Sequence, residues 1–391
     1  MDAPILIPYT SAGGGHRAAA LAIAEALPEA GWSGPVETVD ILEFTPRWFS
    51  RLYGDGYLWW MRTLPHLWDW AYELGEDLTR YKGDGPLTRW FRGRVAHRFY
   101  EHLLRVDPIA VVSTHFLCAA VVSDLKRRGE LESWSAVVLT DYASHRIWMQ
   151  PHNDLYCVPA AREYDEFIDV VGMIGLRPDQ VALTGIPIRR EFREAPRVEE
   201  LRHRLGLREG VPCVVLMSGA RDSRVLVRML QELARVERPL DVLAVVGRER
   251  KRVHRAVERY GDHPTLQVQN LGIIDYIGDV FAAADLVIGK AGGLTTTECL
   301  ARGAPLLIFK PYKGQEERNA QTLLEAGAAS RVSQFAGMAR RIEHLVYDEQ
   351  RMRRMKEACR RAARPEAALE VARRVVGGIS GTPPGRAPGS R

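Results

Sequence analysis

Residues 289–319 read GKAGGLTTTECLARGAPLLIFKPYKGQEERN and follow an apolar run that ends at Ile288. The run predicts a buried strand, the glycines a tight turn, and residues 294–297 the first turn of a helix. These elements, in that order, direct unpaired backbone N–H groups and the positive end of the helix dipole at one small volume, which suits a phosphate or diphosphate. The predicted phosphate-binding residues are Gly292, Gly293, Leu294 and Thr295.

Polar side chains after this loop extend the predicted site beyond phosphate. Glu298, one turn further along the helix, can accept hydrogen bonds from a ribose diol. Gln315 and Glu316 offer an amide and a carboxylate to sugar hydroxyls. Groups that bind phosphate, ribose and sugar in this order predict a nucleotide-sugar site.

Composition indicates two domains and no metal centre. A chain of 391 residues exceeds one ordinary core, so two domains of roughly 150–200 residues are expected. Five cysteines without a CxxC pair predict neither a zinc site nor a disulfide framework, and we expect reduced thiols in a cytoplasmic protein. The net charge of +5 is modest and selects no class of partner.

The sequence also limits how the protein can meet a membrane. It contains no run of about 18 apolar residues, and its N-terminus lacks the basic start and cleavage pattern of a signal peptide. We therefore expect any membrane contact to be peripheral, on the inner face of the cell membrane.

Strand and helix patterns alternate along the chain. Residues 1–185 are predicted to form one domain with an insertion at 47–100, residues 190–376 a second domain, and residues 377–391 a disordered tail with little apolar content. The segment TGIPIRR at 184–190 is the predicted hinge. Two such units predict an α/β protein with two Rossmann-like sheets that face each other across a cleft.

The glycine loop near the N-terminus supports two interpretations. Gly13, Gly15 and Ala18 fit the G-x-G-x-x-A dinucleotide pattern, and Asp40 ends the next predicted strand, which suits an NAD(P)-dependent oxidoreductase. His16, however, lies at the predicted start of the helix, where a histidine is better suited to acid/base catalysis than to binding a pyrophosphate. The helix N-terminus disfavours imidazolium and helps to keep the ring neutral as a proton acceptor.

Five motifs, in chain order, carry a resemblance to a known family. The segment SAGGGHRAAALAIAEAL at 11–27 resembles the start of the monogalactosyldiacylglycerol synthase and processive diacylglycerol glucosyltransferase family. The segment that begins at Gly289 resembles its donor-binding motif, which the N-acetylglucosaminyltransferase that makes lipid II shares. STHF at 113–116, TDYASHRIW at 140–148 and TGIPIR at 184–189 match further signatures of the family.

The resemblance implies a GT-B fold and transfer of a hexose, galactose or glucose, from a UDP-sugar to a diacylglycerol-type lipid. Transfer would invert the anomeric carbon and need no metal or other cofactor. His16 matches the proposed general base, with Asp141 orienting it or sharing its task. Ser218 and Gly219 match a phosphate-facing turn, and the loop and acidic residues named above match the donor site. The predicted acceptor-side residues are Gly14, Gly15, His115, His145 and Trp148.

The insertion at 47–100 concerns the acceptor. It holds six of the nine tryptophans among many arginines: Trp48, Trp59, Trp60, Trp68, Trp70 and Trp90. Aromatic rings beside cations suit an anionic membrane surface, although tryptophans in the core of a helical insertion with solvated arginines would give the same pattern. A non-catalytic lipid-binding protein therefore stays open beside the two enzymes. The basic C-terminal helix lacks interleaved aromatic residues, so no nucleic-acid partner is predicted.

Overall fold

A computed structural model describes residues 3–55, 90–143, 145–172, 175–217, 223–246, 250–311 and 314–381. The chain divides into two compact units. The first comprises Met1–Arg190 and Pro365–Arg391, and the second comprises Glu191–Arg364. The first segment of the first unit therefore ends at Arg190, which is also the last residue of the predicted hinge.

The first unit is built on a parallel sheet of six strands within the described residues, in the order β2-β1-β3-β4-β5-β6. The strands are β1 Ile5–Tyr9, β2 Val36–Asp40, β3 Ala110–Ser113, β4 Trp134–Val138, β5 Leu155–Val158 and β6 Val181–Leu183. The helices are α1 Gly14–Ala26, α2 Arg47–Ser50, α3 His97–Val106, α4 Phe116–Arg127, α5 Ala161–Val171 and, from the C-terminus, α14 Ala367–Ile379. Strands β3 and β5 are buried along their whole length because helices cover both sheet faces.

The second unit repeats this architecture with the strand order β12-β11-β10-β7-β8-β9, again parallel. Its strands are β7 Cys213–Met217, β8 Leu240–Val245, β9 Leu266–Gly272, β10 Leu286–Gly289, β11 Leu306–Phe309 and β12 Ala329–Val332. Its helices are α6 Val198–Arg204, α7 Ser223–Leu233, α8 Arg250–Glu258, α9 Ile277–Ala283, α10 Gly293–Ala301, α11 Gln315–Glu325, α12 Met338–Val346 and α13 Glu349–Ala362. The predicted pair of Rossmann-like α/β units is confirmed.

Each sheet reverses its direction of growth at one place. In the first unit the reversal lies between the neighbours β1 and β3, and in the second between β7 and β10. Ligands of doubly wound folds bind beside such a switch point, at the carboxyl ends of the strands. The loops after β1 and β3, and after β7 and β10, are therefore where the two candidate sites lie.

The end of the chain does not follow the predicted domain boundaries. Residues 365–376, which were predicted to belong to the second domain, are part of the first unit, and the tail predicted at 377–391 begins as helix. Helix α14 extends to Ile379 and packs in the core of the first unit, with Leu369, Val371 and Val375 buried beside Ile23 of α1. Its apolar residues repeat at helical spacing, so the helix covers a sheet face instead of fraying. Residues 382–391 of the predicted tail lie outside the described residues.

Two further sequence predictions concern cysteines and membrane spans. All five cysteines are free and buried, as expected for reduced thiols. Within the described parts of the chain, no helix is long and apolar enough to cross a membrane.

Candidate active site

His16 lies in the first turn of α1, at the switch point of the first unit. Gly13 precedes the helix with φ of 95°, a left-handed conformation that suits glycine. The imidazole Nδ1 lies 2.9 Å from the Thr114 carbonyl oxygen and 2.8 Å from Thr140 Oγ1. Because a carbonyl oxygen can only accept, this contact places the proton on Nδ1 and leaves the lone pair on Nε2. The ring is thereby held with Nε2 as its basic nitrogen.

Burial of the ring also sets the charge of His16. Desolvation lowers the pKa of His16 to about 4, against a smaller opposing effect of the hydrogen bond to Thr114. The side chain is therefore neutral at neutral pH, as a proton acceptor must be. The sequence pointed to the helix N-terminus as the cause, whereas loss of water is the larger one here.

Thr114 ties the end of β3 to the start of α1. Its backbone N–H donates to the Pro8 carbonyl at 3.1 Å, and its hydroxyl donates to the His16 carbonyl at 3.0 Å. Backbone and side chain of His16 are thus held by the same residue, which lies 98 positions away in the sequence.

His115 packs against His16 and caps the next helix. The two rings meet edge to face with centroids 4.6 Å apart. His115 Nδ1 accepts from the Leu117 N–H at 3.2 Å, so a neutral ring carries its proton on Nε2, which lies 3.3 Å from the Tyr53 hydroxyl. Burial, and then the neighbouring His16, hold the pKa of His115 well below its usual value. A neutral His115, held by the Leu117 N–H, therefore supports the position of His16.

His145 and Trp148 belong to a buried wall beside these rings. His145 accepts from the Ile147 N–H at 3.1 Å and caps the single 3₁₀ turn Arg146–Trp148. The Trp148 ring is 1% exposed and lies 6.3 Å, centroid to centroid, from the His16 ring. Trp148 thus packs beside His16, and acceptor contact by His145 and Trp148 stays a prediction.

The remaining predicted residues of this unit are Asp141, Gly14 and Gly15. Asp141 is half-buried and directly follows Thr140, and a side chain at Gly14 would meet no atom within 4 Å. Gly15 is the second residue of α1. The hydrogen bonds that orient the His16 ring come from Thr114 and Thr140, which the sequence did not single out, and a catalytic role for Asp141 stays a prediction.

Asp40 has a use that differs from the one in the oxidoreductase interpretation. Its Oδ1 accepts from the Ser11 N–H at 3.2 Å and from the Leu42 N–H at 3.0 Å. The carboxylate thus anchors the glycine loop and caps the turn that follows β2, and the residue is only 8% exposed. A structural role accounts for its place in the dinucleotide-like pattern.

In the second unit, β10 leads into α10 through the predicted phosphate loop. Gly292 is the N-cap of α10, and among the described residues no side chain caps this helix and no acidic residue occupies its first turn. The first N–H groups of a helix have no intrahelical acceptor, so those of Gly293, Leu294 and Thr295 can bind an anion. Diphosphate binding by Gly292, Gly293, Leu294 and Thr295 stays a prediction.

A pair of contacts joins this loop to α11, which carries the predicted sugar-binding residues. Lys290 Nζ lies 3.2 Å from Glu316 Oε1, with both side chains largely buried, and Asn319 Nδ2 donates to the Ala291 carbonyl at 2.9 Å. Glu316 is thus committed to an ion pair, a constraint that the prediction of a sugar contact did not include. Lys290 and Asn319 both lie in the stretch 289–319, but their pairing depends on tertiary structure.

The other predicted donor residues have different outcomes. Glu298 is 8% exposed, and ribose binding by its carboxylate stays a prediction. Gln315 is the first residue of α11 and directly follows Gly314, whose φ is 85°. Ser218 and Gly219 lie outside the described residues. The strand before them, β7, is the neighbour of β10 at the switch point.

No metal centre is evident where the structure can be read. Among the described residues, no group of three or more His, Cys, Asp or Glu side chains is arranged to hold a metal ion. Independence from metal stays a prediction.

Comparison with known proteins gives the same division of the chain. Residues 16–188 match monogalactosyldiacylglycerol (MGDG) synthase, and residues 213–374 match the glycosyltransferase family 28 C-terminal domain. A processive diacylglycerol beta-glucosyltransferase of Bacillus licheniformis is 30% identical over 61% of this chain and 61% of its own length. The chain thus matches about three fifths of that relative.

Solved structures resemble the whole fold. MurG of Acinetobacter baumannii has a TM-score of 0.60 at 16% identity, over 95% of this chain and 99% of its own. HepE of Anabaena, in complex with UDP and glucose, has a TM-score of 0.50 at 15% identity, over 97% of each chain. Together with the two Rossmann-like units, these likenesses define a GT-B fold.

Within this class, the first half of the chain is similar to MGDG synthase and the second half to the family 28 C-terminal domain. The matching models and relatives are those of the family that the five motifs predicted, the monogalactosyldiacylglycerol synthase and processive diacylglycerol glucosyltransferase family. These comparisons give no support to the oxidoreductase.

Proposed function

We propose that this protein is an inverting glycosyltransferase that moves galactose or glucose from a UDP-sugar to the hydroxyl of a diacylglycerol-type lipid. One observation carries the proposal: a neutral imidazole, His16, is held by Thr114 and Thr140 with Nε2 as its basic nitrogen. The names of the relatives, a diacylglycerol glucosyltransferase and a structure with UDP and glucose, support the choice of substrates.

The proposed chemistry is one displacement. His16 Nε2 takes the proton of the acceptor hydroxyl while the oxygen attacks the anomeric carbon of the sugar. The new glycosidic bond forms as the bond from that carbon to the diphosphate oxygen breaks, and UDP leaves with the electron pair. Attack opposite the leaving group inverts the anomeric carbon.

The departing diphosphate needs stabilisation as its negative charge grows. In this proposal the free N–H groups at the start of α10 provide it, because their dipoles are already oriented before the bond breaks. Preorganised donors of this kind contribute roughly 10²–10³-fold each in other enzymes. No step requires a metal ion.

The direct test is sugar transfer by His16→Ala. We expect transfer from UDP-glucose or UDP-galactose to diacylglycerol to fall by roughly 10²–10⁴-fold, the usual contribution of a general base. UDP binding, followed by calorimetry, should persist. His254→Ala, which alters an exposed histidine of α8, is the matched control and should keep full activity. Near-normal turnover of His16→Ala would contradict the role of the imidazole.

The proposal includes action at a membrane surface. Trp48, Leu52 and Trp90 are 51%, 49% and 49% exposed, and the two tryptophan rings lie 6.4 Å apart. Exposed arginines accompany them at Arg47, Arg51 and Arg94. Large apolar side chains beside cations suit the headgroup region of an anionic bilayer, where the rings enter the interface and the guanidinium groups meet phosphate. We call these six residues the aromatic-basic surface.

Vesicle binding tests this part separately. The protein should sediment with anionic vesicles, less so as salt is added, because salt screens the arginines. Trp48→Ala/Trp90→Ala should weaken the binding, whereas Tyr276→Ala, which removes an exposed ring of the second unit, should not. Equal binding to neutral and anionic vesicles would argue against the aromatic-basic surface.

A further inference from the structure

Tyr53, near the start of the predicted insertion, lies within two contacts of the candidate base. It belongs to a π-helical turn, Arg51–Asp55, that directly follows α2. Its hydroxyl oxygen lies 3.3 Å from Nε2 of His115, a residue 62 positions away in the sequence. His115 in turn packs edge to face against His16, with ring centroids 4.6 Å apart. The insertion therefore contributes a side chain to the surroundings of His16.

The direction of this hydrogen bond follows from the other nitrogen of His115. A backbone N–H can only donate, so Nδ1 accepts from the Leu117 N–H at 3.2 Å and the proton of the neutral ring is on Nε2. Nε2–H then donates to the oxygen of the Tyr53 hydroxyl. His115 is only 3% exposed, and these two partners define both its tautomer and its orientation.

The orientation of His115 matters because other rings pack closely around it. Its ring centroid lies 4.2 Å from that of Phe116 and 6.2 Å from that of Trp148, in addition to the contact with His16. A packed interior leaves little room for a ring to turn without moving its neighbours. A turn of His115 would therefore displace the His16 ring, and the hydrogen bond to Tyr53 opposes such a turn.

The Tyr53 ring is itself held by packing. It stacks on Phe49 with centroids 5.4 Å apart and planes inclined by 10°. Phe49 contacts Phe91 at 6.0 Å, and all three rings pack against buried apolar residues of the first unit. A ring restrained in this way keeps its hydroxyl at a constant place, as a positioning role requires.

We propose that Tyr53 is a positioning residue for sugar transfer, which acts on His16 through His115. Its hydroxyl accepts from His115 Nε2 and so keeps His115 in the orientation against which His16 packs. The inference rests on the proposed function, because His16 is the base of that reaction. The hydrogen bond itself can be measured without any substrate.

Nuclear magnetic resonance of the ring nitrogens tests the contact in the full chain. In protein that contains isotope-labelled histidine, the two neutral tautomers give different signals, and His16→Gln and His115→Gln assign the two rings. We expect the proton of His115 on Nε2 and that of His16 on Nδ1. Tyr53→Phe keeps the stack on Phe49, and it should shift the Nε2 signal of His115 and speed the exchange of that proton with water, because the acceptor is lost.

Kinetics test whether the contact matters for the reaction. Tyr53→Phe should lower kcat by roughly 3–10-fold, as for loss of one neutral hydrogen bond, and change the KM for the UDP-sugar by less than about twofold. In a His115→Gln background the same substitution should have no further effect, since Tyr53 acts through His115.

The matched control is Tyr260→Phe. Tyr260 is a half-buried ring of the second unit that also packs against a histidine, His263, with centroids 6.0 Å apart, the same separation as between Tyr53 and His115. This substitution should change neither kcat nor the signals of His16 and His115. The melting temperature of each variant should match that of the unchanged chain, which shows that the protein is folded.

Three results would overturn the proposal: an unchanged Nε2 signal in Tyr53→Phe, an unchanged kcat, or a full loss of kcat that persists in the His115→Gln background. Failure of the proposed function looks different, because the unchanged chain would then transfer no sugar. In that case the Nε2 signal and its exchange with water decide alone whether Tyr53 holds His115.

Discussion

At the scale of single residues, the candidate base depends on two threonines that are far from it in sequence. Thr114 and Thr140 lie 98 and 124 positions from His16, and both contact its Nδ1. They act through the histidine, so we regard them as positioning residues.

Removing the Thr140 hydroxyl tests this role. We expect Thr140→Val to lower kcat by roughly 10–100-fold, because the ring loses one of two contacts that orient Nε2 toward the acceptor. The acid limb of the pH profile should also move to lower pH, since the hydroxyl oxygen no longer stabilises the protonated ring. Steady-state kinetics over a pH series measures both effects.

Thr140→Ser keeps the hydroxyl and supplies the control for this substitution. It should restore most of the activity and the original acid limb. A Thr140→Val enzyme with an unchanged pH profile would show that the contact does not act on the imidazole.

The low pKa of His16 predicts how activity responds to acid. Above a pKa of about 4 the ring is neutral and can accept a proton, and below it the ring is already protonated. The value of kcat/KM should therefore stay constant between roughly pH 6 and 8 and fall about tenfold per unit below the pKa. Circular dichroism at each pH separates this loss from unfolding, and an acid limb near the ordinary histidine pKa would contradict the assignment.

At the scale of elements, α11 is joined to the predicted phosphate loop by the Lys290–Glu316 ion pair and by Asn319. These contacts join two consecutive β-α units of the second sheet. Their loss should therefore affect donor binding more than the chemical step.

Lys290→Met tests this connection. We expect the KM for the UDP-sugar to rise by roughly tenfold, as for loss of a largely buried charged partner, with a smaller change in kcat. Arg331→Gln is the matched control, since it breaks the exposed Arg331–Glu317 pair of the same helix and should change neither constant. An unchanged KM in Lys290→Met would mean that the position of α11 does not depend on the pair.

At the scale of the whole molecule, the chain returns to its first unit at the C-terminus. Leu369, Val371 and Val375 of α14 are 2%, 0% and 0% exposed, and each such side chain contributes about 1.5–3 kcal/mol when buried. Near the end of this helix, a Cβ added to Gly378 would come within 2.3 Å of the Trp134 ring. The last helix is therefore part of the core of the first unit.

Truncation tests this arrangement. A chain that ends at Arg364 should lose several kcal/mol of stability in the first unit, seen as a lower Tm or as aggregation, because α1 and the sheet lose their apolar cover. A chain that ends at Gly381 keeps α14 and should melt like the full protein. Equal melting of both truncated chains would contradict the role of α14.

Much of the fold follows from local sequence. Strands such as Leu155–Val158 and Cys213–Met217 follow from local sequence because a short apolar run bordered by polar or turn residues specifies a buried parallel strand. Val181–Leu183 has only three residues, and Ala329–Val332 is ASRV with an exposed arginine, so neither carries enough periodic signal to be predicted. Both strands form by pairing at a sheet edge.

The sequence by itself determined the two α/β halves, the glycine loop before α10 and the histidine in the first turn of α1. Each of these features depends on residues that are close together in the sequence, so the local sequence pattern is enough to predict it. Only the tertiary structure decided that Thr114 and Thr140 hold His16, that Lys290 binds Glu316, and that α14 covers the first sheet. These contacts join residues far apart in the chain, and they arise because strand order and helix packing, which bury apolar surface, bring those residues together.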